Sequence, residues 1–164
     1  MFETILVAIG ANLPDAAGRS ARDTCEWAVA QLAALPSLQL RGRSRWFATR
    51  PVPDSDQPSF INGVAWLSGP AEPAALLQAL HGIEAAAGRT RGTVNAARTL
   101  DLDLLAMDGL VQTGPPVLPH PRLSLRAFVL APLADLLPGW RHPVLGTPVR
   151  ELLLGVTDQT IQPL

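Results

Sequence analysis

The chain has 164 residues, 48% apolar and 16% charged, with a formal net charge of -1. One domain spanning residues 1–164 is expected from that length, and the composition excludes a disordered chain. There is no global basic field for nucleic acid or an anionic membrane. All 13 basic residues are arginine, so a Walker-A P-loop and Schiff-base chemistry, which need lysine, are excluded. A single cysteine, Cys25, permits no internal disulfide. Without a transmembrane run or a leader pattern, the expected location is cytoplasmic.

Residues 4–9 form a short apolar run before Gly10 and read as a buried strand. Asn12 and Asp15 then offer helix-start signals, and 16–35 carries Ala21, Cys25, Ala28, Leu32 and Leu35 at helical spacing. Cys25 on that stripe reads as a buried structural thiol. Residues 38–48 alternate with period two and predict one strand, with Arg41, Arg43 and Arg45 on a single face. Those arginines suit either anion steering or a solvated, charged sheet edge. A proline-rich loop over 49–59 leads to a strand over 60–68.

Residues 73–88 predict a helix with Leu76, Leu80, Ile83 and Ala87 as its core stripe and Gly88 at its C-terminal cap. Residues 89–98 form a loop holding Arg89, Arg91 and Arg98, followed by a strand over 99–106. Asp108-Gly109 is a hairpin turn signal into Leu110-Val111. Residues 117–122 form a Pro/His loop, and 124–137 a helix with Ser124 as N-cap. A short helical pattern covers 149–154. Mixed strands and helices without a strict βαβ repeat favour an α+β sandwich, its central sheet mostly antiparallel and its helices packed on it.

Asp101 and Asp103 are two apart in a strand and project from one face, with Leu100, Leu102 and Leu104 on the other. Two adjacent carboxylates suit a hard cation such as Mg²⁺; an ordinary exposed strand has the same alternation. Arg89, Arg91 and Arg98 lie within a dozen residues of that pair. Guanidinium forks bind phosphate oxygens bidentately, so the set suits phosphoryl transfer; the same arginines could simply neutralise the aspartates. His120, between two prolines, could donate from a neutral imidazole to a phosphate. Phe60 and Asn62 share a strand face and could stack on and read a flat heterocycle.

Five blocks in order resemble the 6-hydroxymethyl-7,8-dihydropterin pyrophosphokinase family of folate biosynthesis. They are Ile9-Gly10-Ala11-Asn12-Leu13; residues 49–62 with Asp56-Gln57-Pro58 and Phe60-Ile61-Asn62; Ile83-Glu84 leading to Gly88-Arg89-Thr90-Arg91; Arg98-Thr99-Leu100-Asp101-Leu102-Asp103; and Pro119-His120-Pro121-Arg122 with Arg126-Ala127-Phe128. The resemblance implies a ferredoxin-like α/β sandwich that transfers the pyrophosphoryl group of ATP to the pterin hydroxymethyl group and releases AMP. It implies two Mg²⁺ ions on Asp101 and Asp103, with Arg89 and Arg98 closing over the transferring group. Glu84, Arg91, His120 and Arg126 would bind ATP, and Thr49, Val52, Phe60, Asn62 and Phe128 would form the pterin pocket. The expected partners are these two substrates, with no nucleic acid and no membrane, and the expected state is a monomer.

The chain departs from the family pattern in the closing loop, where Asn95-Ala96-Ala97 replaces the usual Trp-Gly-Pro. Arg50 also stands where a proline commonly follows the pocket threonine. A non-catalytic pterin- or nucleotide-binding paralogue and a palm-like nucleotidyl-transferring domain are the competing readings.

Overall fold

The computed structural model describes residues 1–14, 17–49, 59–88 and 99–164. Strand β1 (Phe2–Ala11) is central, pairing antiparallel with β4 (Phe60–Gly69) on one side and with β5 (Asp101–Met107) on the other. Beyond β4 lie β2 (Gln39–Arg43) and β3 (Phe47–Thr49), and beyond β3 lies β8 (Ile161–Pro163). A second, two-stranded sheet joins β6 (Gln112–Thr113) to β7 (Val117–Leu118). The β1-α1-β2/β3-β4-α2-β5 order, with β5-β1-β4-β3 across the sheet, is a ferredoxin-like α+β arrangement.

Two apolar cores sandwich the sheet. Ile5, Val7, Ile9, Leu67, Leu102 and Leu104 pack against α1 (Ala21–Ala33) and α2 (Pro73–Ala86). On the opposite face Leu6, Val64 and Leu105 meet α3 (Ala127–Leu136) and α4 (Val149–Leu154). Leu105 and Ala106, although consecutive, serve the same core because the β1–β5 register shifts between Leu6 and Val7, leaving Leu105 as the extra residue of a bulge. Among the described residues no helix is long and apolar enough to cross a membrane.

Several local expectations change. Helix α1 begins at Ala21, capped by Ser20, whose Oγ accepts the Asp23 N–H at 3.2 Å. Asn12 therefore does not start it, and Asp15 lies outside the described residues. Glu72 caps α2 through the Ala75 N–H, and Gly88 follows Ala87 with φ 93°, the left-handed C-terminal position that glycine takes without strain.

The strand expected over 38–48 is broken at 44–46. Ser44 replaces the ladder there: its N–H donates to the Val64 carbonyl, and its Oγ accepts the Val64 N–H at 2.9 Å. The break sends the arginines apart. Arg43 pairs with Glu26 on α1 at 3.0 Å, and Arg45 pairs with Asp135 on α3 at 3.1 Å. The single arginine face expected from alternation is not formed, because the two side chains reach opposite layers.

Asp108-Gly109 does turn the chain, with Leu110 N–H donating to the Met107 carbonyl, but 110–111 does not pair back onto β5. Asp108 instead accepts the Glu3 and Thr4 N–H groups, stitching the turn to β1. The open edge of β5 is met later, where the His120 N–H donates to Leu105 O at 2.8 Å. Ser124 is not an N-cap: Leu123–Leu125 is a 3-10 turn, and Arg126 is extended before α3 begins at Ala127.

Cys25 is fully buried, and burial, aided by the neighbouring Glu26 charge, pushes its thiol from 9.0 up to about 12. The native thiol is thus expected to resist alkylation at pH 8 until the protein unfolds. Above pH 9 the unfolded thiol ionises while the folded one stays protonated, so this group lowers stability as pH rises toward 12. Thiol titration with and without denaturant checks this; labelling of the native protein at the unfolded rate would contradict it.

Candidate active site

Strand β5 is the edge of the main sheet, and a cleft of about 470 Å³ runs along it. One wall comes from α2, where Leu77, His81 and Glu84 recur at helical spacing. Asp101 and Asp103 form the floor, and the opposite wall holds His120, Arg122 and Arg126. Glu84, Asp101, Asp103, His120 and Arg126, picked from the sequence, are therefore brought together. His81 and Arg122 were not assigned from sequence. The i, i+3 spacing of His81 to Glu84 was the available signal for the first, and adjacency to His120 for the second.

Alternation places the aspartates as expected: Asp101 and Asp103 are half-buried while Leu100, Leu102 and Leu104 are buried. Glu84, 1% exposed, accepts the Leu102 N–H at 2.8 Å through Oε2. A helix carboxylate thereby grips the peptide unit between the two aspartates. This bond fixes the edge strand, which among the described residues has no sheet partner on that side.

His120 is held on both sides. Its backbone N–H is bonded to Leu105, and its Nδ1 accepts the Arg122 N–H at 3.1 Å. With Nδ1 accepting, the neutral ring carries its proton on Nε2. Burial pushes the His120 pKa below its ordinary value, opposed by Asp103 and reinforced by Arg126 and Arg122. The imidazole is thus a neutral N–H donor near pH 7. Arg126 lays its guanidinium 5.2 Å from the centroid of the Phe128 ring.

Thr49, Phe60, Asn62 and Phe128 do not line this cleft. Phe47, Thr49, Phe60 and Asn62 belong to the sheet face that α3 covers, and Phe128 packs against the core there. Asn62, 6% exposed, donates from Nδ2 to Thr49 Oγ1 at 2.9 Å. Gly10 pairs with Asn62 on one side and with Asp101 on the other. Asn62 and Asp101 therefore stand two strand spacings apart, about 10 Å. A Cβ at Gly10 would sit 3.1 Å from Asn62 Oδ1, so glycine leaves the carboxamide its place. Val52, Arg89, Arg91 and Arg98 lie outside the described residues, as does Asn95-Ala96-Ala97.

The donor set suits Mg²⁺. Among the described residues no three His, Cys, Asp or Glu side chains converge as an all-protein metal cage. Mg²⁺ needs none: it is bound through one or two carboxylates, with waters and substrate phosphates completing its octahedron. Asp101 and Asp103 are hard oxygen donors facing a cleft whose far wall is cationic and donor-rich.

A family model described as 7,8-dihydro-6-hydroxymethylpterin-pyrophosphokinase (HPPK) matches residues 6–138. The 2-amino-4-hydroxy-6-hydroxymethyldihydropteridine pyrophosphokinase of Pseudomonas aeruginosa is 38% identical over 144 residues, covering 87% of this chain and 86% of that protein. Its namesake from Methylorubrum extorquens is 37% identical over 155 residues, 94% of each. Among solved structures, wild-type Plasmodium falciparum HPPK-DHPS superposes with a TM-score of 0.71 at 13% identity over 94% of this chain. This chain spans 43% of that longer one, and the likeness is one of fold.

Proposed function

The chain belongs to the 7,8-dihydro-6-hydroxymethylpterin-pyrophosphokinase family, and we propose that it transfers the β,γ-pyrophosphoryl group of ATP to 6-hydroxymethyl-7,8-dihydropterin, releasing AMP, in folate biosynthesis. The observation that carries this reading is the row Asp101–Gly10–Asn62 across the sheet. It sets a carboxylate floor for phosphates beside an amide suited to a heterocycle, with only a glycine between them.

In this reading Thr49 orients the Asn62 carboxamide, leaving its oxygen and one N–H for the polar edge of the pterin. Phe60 and Phe128 supply apolar ring faces, and Val52 completes the pocket by resemblance. Giving up its proton to water, the hydroxymethyl oxygen attacks the β-phosphorus. A new O–P bond forms there, the bond from that phosphorus to the α,β-bridging oxygen breaks, and AMP leaves with that oxygen. Asp101 and Asp103 would hold Mg²⁺, two ions in this reading, which would neutralise charge on the phosphates and keep the displacement in line. His120 donates a hydrogen bond from its Nε2–H to a phosphate oxygen and keeps its proton. Arg126, braced on Phe128, pairs with the phosphates, and Glu84 holds the peptide between the two aspartates beside the nucleotide. Arg89, Arg91 and Arg98 act from the loop by resemblance, Arg89 and Arg98 closing over the transferring group and Arg91 binding ATP.

AMP release from ATP tests this reading. It is expected only with the hydroxymethyl-dihydropterin present and is expected to stop in EDTA. ATP binding by the folded protein with no AMP release would favour the binding-paralogue reading and make Asn95-Ala96-Ala97 the prime suspect.

A further inference from the structure

Arg126 is the N-cap of α3 but makes no side-chain capping bond, and its backbone is extended (φ -122°, ψ 113°) between the 3-10 turn and the helix. The cap comes from 32 residues away in sequence. Gln159 Oε1 accepts the Ala127 N–H at 2.8 Å, and Gln159 Nε2 donates to Leu125 O at 2.9 Å. One carboxamide therefore grips the residues on both sides of Arg126.

Gln159 is itself pinned from two directions. Its N–H donates to the carbonyl of Val156, which is buried in the α3–α4 core. Two residues on, Ile161 pairs with Thr49 as β8 joins β3. The Leu164 N–H closes the strap on Trp46 O. Gln159 and β8 both lie beyond residue 138, where the family match ends, and the partners of the carboxamide and of β8 lie within it.

We propose that Gln159 is a positioning residue for the nucleotide half of the site: by clamping the backbone around Arg126 it aims the guanidinium at the phosphates of the nucleoside triphosphate. This rests on the reading of Arg126 as an ATP-binding residue. A flexible 125–127 segment would let the guanidinium sample directions away from the cleft, so losing the clamp weakens nucleotide binding rather than pterin binding.

The test is a double-mutant cycle on the full chain, with KM for ATP, KM for the pterin and thermal midpoint measured for each variant. Gln159→Leu removes both bonds and is expected to raise the ATP KM about tenfold, leaving the pterin KM within about twofold. In an Arg126→Ala background the same substitution is expected to add nothing. An equal loss in both backgrounds, or an unchanged ATP KM in Gln159→Leu alone, would overturn the proposal. If Gln159→Leu does not fold, Gln159→Glu keeps the acceptor for Ala127 and loses the donor to Leu125. It is then expected to raise the ATP KM only in the Arg126 background, and an unchanged value overturns the proposal. If Arg126→Ala itself leaves the ATP KM untouched, the ATP-binding reading of Arg126 fails, and the Gln159 role falls with it.

Discussion

Asp101→Ala and Asp103→Ala are each expected to lower turnover by about a thousandfold or more, the scale of removing a charge stabiliser in phosphoryl transfer, while the protein stays folded. The two side chains are half-buried on β5, whereas the neighbouring leucines carry the packing. Truncation therefore removes charge and oxygen donors without opening the core. Glu84 continues to hold the Leu102 N–H, so the strand remains in place between the substituted positions. Asp→Asn variants keep the volume and remove only the charge, and are expected to lose activity on the same scale. Steady-state AMP production, read beside thermal melts, checks this. Near-normal turnover in either alanine variant would remove that aspartate from the assigned metal site.

Gly63→Ala is expected to destabilise the protein by about 3 kcal/mol. A Cβ at Gly63 would lie 2.5 Å from the Trp46 ring and 3.2 Å from Ser44 Oγ. Neither neighbour can yield cheaply. Trp46 is 4% exposed, its indole N–H donates to Glu26, and Arg43 stacks 5.1 Å from the ring centroid. Ser44 makes the hydrogen bonds that bend the strand between β2 and β3. For a chain of this length the loss corresponds to a fall in thermal midpoint of about 6–12 °C. Replacing Trp46 by Phe in the Gly63→Ala background should recover part of it, because the smaller ring vacates the clash. Additive losses in the double variant would show that the strain lies elsewhere.

Local rules made much of the site legible. Period-two alternation was enough to put Asp101 and Asp103 on one face, because β5 keeps regular pleating until its bulge at Leu105. The Pro73 start and Gly88 stop bounded α2, and with it the placement of Glu84. What escaped sequence reading depends on partners far along the chain. The divergence of Arg43 and Arg45 follows from Ser44 bonding to Val64, which no alternation rule contains. Ser124 looked like a cap because local patterns favour serine there. The carboxamide of Gln159 takes that role, because the C-terminal strap returns past the start of α3 to pair with β3. The cleft wall at His81 was similarly hidden, since a lone histidine on a helix gains meaning only once Glu84 and β5 are beside it.

One β,γ unit is proposed to move intact from ATP to the pterin, and phosphorus NMR of the reaction of the wild-type protein follows it bond by bond. ATP resonances are expected to be replaced by those of AMP and of a diphosphate ester on the pterin, in equal amounts. ADP with a monophosphorylated pterin, or free pyrophosphate with a nucleotidylated acceptor, would contradict it.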